Sequence, residues 1–143
     1  WIFVQGNFCE TIAFPAGTYP LANVVCYDFF SPASHPHLWT LQVFLNLKAH
    51  LAVDSKIITY SSATCARAVM FASGLFVGFG PISGKKSKST IATTIFFELQ
   101  EPLSLDWRNT FGRSEARFSL EENSLDKDKI VDLVETHPQW KLL

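Results

Sequence analysis

The residues whose types come nearest to ligand chemistry lie in one stretch, Gly78–Thr90, which reads GFGPISGKKSKST. A phosphate-cradling loop needs the pattern G-x-x-x-x-G-K-[ST] between a strand and a helix, so that backbone N–H groups wrap the anion. Here Gly78 and Gly84 are one residue too far apart, and Phe79 stands where the first glycine should be. Lys86 comes directly after Lys85, so the magnesium-binding hydroxyl is missing. The next segment, STIATTIFFEL, is strand-like and offers no helix N-terminus to a phosphate. Nucleotide binding is therefore disfavoured. Two readings of Lys85, Lys86 and Lys88 remain: a solvated connection between strands whose lysines discourage edge pairing, or a basic loop for an acidic partner such as RNA, anionic lipid or a protein surface.

Other chemistry-bearing residues form no recognisable set. His35 and His37 flank Pro36, but His50 and His137 are distant in sequence and no thiol or carboxylate has matching ligand spacing, so no metal site is expected. Asp54, Glu98 and Asp106 are carboxylates that a pocket could use, yet there is no nucleophile elbow, no H-E-x-x-H and no telling carboxylate pair. The sequence gives no support for an enzyme or for a cofactor. The uncharged run Ala68–Ile82 is too short for a spanning helix and is broken by Gly74, Gly78, Gly80 and Pro81, so no transmembrane segment is expected.

The elements that would carry these residues are read from composition and pattern. The chain has 143 residues, 48% hydrophobic and 17% charged, with 13 Phe and 4 Trp. It is long enough to bury a core without staples, and so apolar a surface predicts self-association. A net charge of −1 argues against a general nucleic-acid or membrane surface, and no sequence-specific nucleic acid is expected. Cys9, Cys26 and Cys65 form no C-x-x-C and sit among apolar neighbours, which favours a reducing, intracellular compartment. The chain opens on Trp1 in an apolar run, and a further N-terminal arm is expected.

Trp1–Val4 and residues 8–14 read as strands about the turn pair Gly6-Asn7. Leu21, Val24, Val25 and Phe29 recur at helical spacing and predict a short helix. Residues 38–51 predict a helix apolar on most sides. Strands are predicted over 56–63, 65–72, 75–79 and 90–99, with Ser73-Gly74 as a turn. Residues 100–114 look irregular and anchored by Trp107, and Ala116, Phe118 and Leu120 alternate as in a half-exposed strand. Asn123 or Ser124 then caps a helix to about Thr136, which His137-Pro138 ends. The expected fold is a single α+β domain over residues 1–143. Its mainly antiparallel sheet carries two helices from the N-terminal half and one short C-terminal helix.

Thr18-Tyr19 before the first predicted helix, VFLNLKAHLAVDSK (43–56) and KSTIATTIFFELQEPLSLDW (88–107) together resemble, in order and pattern, the globular domain of rhabdovirus matrix proteins. The resemblance implies a non-enzymatic structural protein of the virion. It would self-assemble beneath the envelope, bridge the viral nucleocapsid to an anionic membrane surface, and support budding from the host cytoplasm or inner membrane face. It places self-association on Ala49, His50, Leu51, Ala52 and Val53, and it makes Lys85, Lys86 and Lys88 the contacts for lipid or ribonucleoprotein. The family's basic tail and proline-rich motif have no counterpart here. Two alternatives stand beside it: an interaction subunit of a larger cellular complex, and a small ligand-binding or enzymatic α+β domain, which a pocket of converging polar groups would support.

Overall fold

A computed structural model describes residues 2–83 and 87–143. Its sheet grows from β1 (Ala22–Cys26), β2 (Leu51–Thr59), β3 (Phe76–Ser83) and β4 (Ser87–Thr93), in the order β1-β2-β4-β3. β1 and β2 are parallel, while β4 is antiparallel to both β2 and β3. Three strands therefore share one direction and β4 alone opposes them. The sheet is mixed, in place of the mainly antiparallel one expected.

Helices form the crossovers that parallel neighbours need. Between β1 and β2 lie a 3-10 turn, Pro36–Trp39, and α2 (Leu41–Lys48), whose N-cap Thr40 accepts from the Val43 amide. Between β2 and β3 runs α3 (Thr64–Ala72), where a strand was expected. Every residue of α3 from Cys65 to Ala72 is buried, so no helical period shows in its sequence. A helix surrounded on all sides reads like a covered strand.

Other segments also depart from expectation. Residues 8–12 are a short helix, α1 (Phe8–Ile12), because the Asn7 side chain accepts from the Cys9 amide and starts it. Residues 22–26 are strand and not helix: Val25 pairs with Ile57 on the covered face while Val24 and Cys26 face outward. Residues 105–113 form α4 (Leu105–Arg113), and residues 116–120 form turns in place of a strand. The predicted C-terminal helix is present as α5 (Ser124–Glu135), capped by Asn123, with Ile130 and Val134 buried.

The core lies between one sheet face and α2, α3 and α5. Val25, Ile57, Ala92 and Val77 line up across the four strands on that face. The opposite face carries Lys56, Ile58 and Ile91, with Ile82 exposed. Among the described residues, no helix is long and apolar enough to cross a membrane.

The strand-to-strand reading of Gly78–Thr90 agrees with the structure, since the stretch joins β3 to β4. Gly78 and Gly80 serve packing. A Cβ on Gly78 would stand 2.6 Å from the Glu101 carbonyl oxygen, and one on Gly80 would meet the Ser89 hydroxyl. The bare backbone lets the chain at Glu101–Leu103 bond along β3, where Phe79 N–H donates to Glu101 O and Leu103 N–H to Val77 O.

Candidate ligand cleft at the carboxyl ends of two parallel strands

β1 and β2 end side by side, at Cys26 and Thr59. In open α/β sheets ligands bind in the crevice outside the carboxyl ends of the strands, where loops leave room and no side chain is needed to complete the ladder. Here that region holds a cavity of about 230 Å³ lined by Asp28, Phe29, Ser31, Thr59, Tyr60 and Ser61. Two larger hollows adjoin it. One, of about 550 Å³, lies between Ser31–Ala33, the start of α3 and residues 115–120. The other, of about 570 Å³, shares Asp28, Thr59 and Tyr60 and opens over Cys26, Ile58 and Ile82.

Strand alternation delivers Asp28 to this cleft. Tyr27 continues the ladder by donating its N–H to Ile58 O, and its ring turns into the core, where its hydroxyl donates to Leu38 O. Burial pushes the Tyr27 hydroxyl far above the usual tyrosine range, so it stays protonated and keeps its bond to Leu38 O. The next side chain, Asp28, therefore faces outward. The loop beyond is pinned by the Trp39 indole, which donates to Phe30 O at 2.9 Å, while Phe29 packs on Phe8 and Tyr27.

On the β2 side, Ser61 N–H donates to Thr59 Oγ1 and Ala63 N–H to Ser61 Oγ, which shapes the turn into α3. The N-cap of α3, Ala63, has no side chain able to bond the first-turn amides. Cys65 lines the neighbouring hollow, but burial pushes its thiol up, away from the thiolate a nucleophile needs.

The cleft thus offers one exposed carboxylate, serine hydroxyls and aromatic faces. Such a set can hold a cationic or flat aromatic group and orient an N–H or O–H donor.

The residues singled out from sequence lie elsewhere. Ala49 ends α2, His50 and Leu51 are buried, Ala52 is half-buried and Val53 is exposed in β2. Lys85 and Lys86 lie outside the described residues. Lys88 pairs with Glu101 and sits over the Phe79 ring. Asp54 accepts from Asn23, Asp106 opens α4, and Glu98 lines a hollow on the uncovered sheet face with Lys56 and Lys88. Cys26 is exposed and not buried as expected. Asp28, Tyr60 and Ser61 were not foreseen, because residues 21–29 read as helix and an acid there has no strand end to mark it.

Residues 9–95 match the family model of S-adenosyl-L-methionine-dependent methyltransferases. The chain belongs to that family. Among solved structures it is similar to MNMC2 from Aquifex aeolicus, with a TM-score of 0.69 and 24% identity. The likeness covers 92% of this chain but 42% of that one, so the chain spans less than half of the protein it resembles. No curated protein matches.

Membership of this methyltransferase family overturns the matrix-protein reading and, with it, the expected virion assembly, self-association and nucleocapsid and membrane partners. It also overturns the expectation of a non-enzymatic protein. Of the alternatives weighed from sequence, the ligand-binding or enzymatic domain is the one the family supports.

Proposed function

We propose that this chain supplies the acceptor-facing wall of an S-adenosyl-L-methionine-dependent methyl-transfer site, in the cleft between the ends of β1 and β2. The observation that carries this reading is the placement of Asp28 and Tyr60 around one cavity at the carboxyl ends of two parallel strands. The mixed sheet, with three strands in one direction and helical crossovers, supports reading residues 1–143 as one Rossmann-like α/β unit, a flank of a larger doubly wound sheet. The outer edge of β1 has no strand partner among the described residues.

The cleft fits the co-substrate's chemistry. The sulfonium is a cation, and the wall presents a carboxylate with the Tyr60 and Phe29 rings. When bound, S-adenosyl-L-methionine supplies a methyl group activated by its positive sulfur.

Asp28, Tyr60 and Ser61 then act on the acceptor. Asp28, an acceptor when ionised, takes a hydrogen bond from an acceptor amine N–H and aims the nitrogen lone pair. Once methylated, the nitrogen is a positively charged ammonium and the departing sulfur is neutral; the same carboxylate can receive one of the protons the amine already held. The neighbouring hollow, with walls of Pro32, Ala33, Ala63, Phe118 and Leu120, suits the apolar body of an acceptor bearing that amine.

Titrating the protein with S-adenosyl-L-methionine while following amide NMR shifts tests the site. Changes centred on Asp28, Tyr60 and Ser61 are expected. Changes centred on Lys56 and Glu98 across the sheet, or no binding, would overturn the assignment.

A further inference from the structure

Tyr60 is 67% exposed, so packing of its own side chain does not hold it against the cleft. What holds its segment is a hydrogen-bond chain that begins in the core. Arg67 of α3 is 7% exposed. The ion pairs among the described residues, Lys88–Glu101 and Arg108–Glu135, do not include it. Its Nε–H donates to Thr90 Oγ1 at 3.0 Å, Nη2 donates to Lys88 O at 3.3 Å, and the guanidinium lies 5.0 Å from the Phe79 ring centre. Thr90 Oγ1 in turn donates to Ser61 O at 2.6 Å.

The direction of this chain is fixed. A threonine hydroxyl has one proton, and an arginine can only donate. With Arg67 occupying a lone pair of Thr90, the Thr90 proton is free to point at Ser61 O. Burying a cation without a carboxylate is costly, and a Leu or Met would fill the same space. The planar fork does what those cannot: it spans Thr90 and Lys88 O together while covering Phe79.

We propose that Arg67 is a positioning residue of the cleft, holding the Tyr60–Ala63 wall in its ligand-ready geometry through the Thr90 hydroxyl and the Ser61 carbonyl. The ligand half of this inference rests on the methyl-transfer reading above. The relay itself does not.

The test uses Thr90→Val, Thr90→Ser, Arg67→Met and the double variant Arg67→Met/Thr90→Val, read by amide hydrogen exchange and by calorimetric titration with S-adenosyl-L-methionine. Thr90→Val should speed exchange at Ser61 and Ala63 about tenfold, the worth of one net hydrogen bond, with Ile57 and Ala92 unchanged. Thr90→Ser should restore the slow exchange. Arg67→Met should reproduce the Thr90→Val pattern, and the double variant should add nothing. Unchanged exchange in the loop, or a uniform rise across the sheet, would overturn the relay. Affinity for S-adenosyl-L-methionine should fall with the loop's protection. Full affinity in a variant with a loosened loop would overturn its link to binding. A parent protein that does not bind the probe would defeat the methyl-transfer reading, while the exchange data would still decide the relay.

Discussion

Glu122 caps the helix that Leu41 begins: its carboxylate accepts the Leu41 N–H at 2.5 Å across 81 residues of sequence. The bond ties the segment between α4 and α5 to the first turn of α2, beside the loop that carries Asp28. Ser119 reinforces it by donating to Pro36 O.

Burial raises the Glu122 pKa above its ordinary value, more than the Leu41 hydrogen bond lowers it. The folded state then holds a proton that the unfolded state releases, so this group's contribution to stability is present below the ordinary glutamate pKa and lost as pH rises through the raised one. Glu122→Gln keeps an acceptor and should flatten that slope in denaturation at several pH values. Glu122→Ala should cost about 1–2 kcal/mol, as losing a helix cap does.

His137 has the opposite sign. Burial among Phe71, Phe76 and Trp140, with Lys48 adding repulsion, pushes its pKa down to about 4. The unfolded chain takes up the proton first, so stability is full above about pH 6.5 and is lost as pH falls toward 4. Thermal melts should fall over that window, by an amount equivalent to about 3 kcal/mol. His137→Asn, which keeps an acceptor for the Gln139 N–H, should melt with little dependence on pH there.

Gln139 stands in for a strand. Its side-chain oxygen accepts Val77 N–H, and its amide donates to Val77 O and Leu103 O. Gln139→Leu fills the space but strands two buried backbone groups, Val77 N–H and Leu103 O, while Val77 O keeps Leu103 N–H, and should cost about 2–4 kcal/mol in urea denaturation. Gln139→Glu should also destabilise, because an acceptor-only group cannot serve the two carbonyls.

Asp28 is exposed and holds no core contact, so Asp28→Asn should leave the melting temperature unchanged. On the proposed reading, methyl transfer from labelled S-adenosyl-L-methionine to an amine acceptor should drop about 100-fold or more, the loss expected of a proton acceptor at the reacting atom. An unaltered rate would remove Asp28 from the mechanism.

Several elements were legible before the structure. Asn123 announced α5 because a capping side chain ahead of an apolar stripe is a local signal, and β4 was marked by its β-branched residues, although the strand predicted over 90–99 stops at Thr93 and Phe96–Glu98 form a 3-10 turn. Other elements were hidden by their surroundings. α3 lies between the sheet, α2 and α5, so Cys65–Ala72 show no polar face. β1 has apolar side chains on both faces, and Leu21, Val24, Val25 and Phe29 imitate a helical spacing. That one misreading concealed the cleft, since Asp28 matters only as the residue beyond a strand's end. Thr90, Arg67 and Ser61 meet through tertiary contacts with no footprint in local sequence.

The Gln139–Val77 pairing also sets a schedule for protein synthesis. The two residues are 62 positions apart. At roughly 5–20 residues per second, the ribosome delivers Gln139 about 3–12 s after Val77. For that interval this part of β3 lacks its side-chain clamp. The nascent chain therefore presents unpaired groups beside Phe76 and Phe79 to the tunnel exit and to any chaperone waiting there, and translation speed downstream of β3 governs how long they stay uncovered.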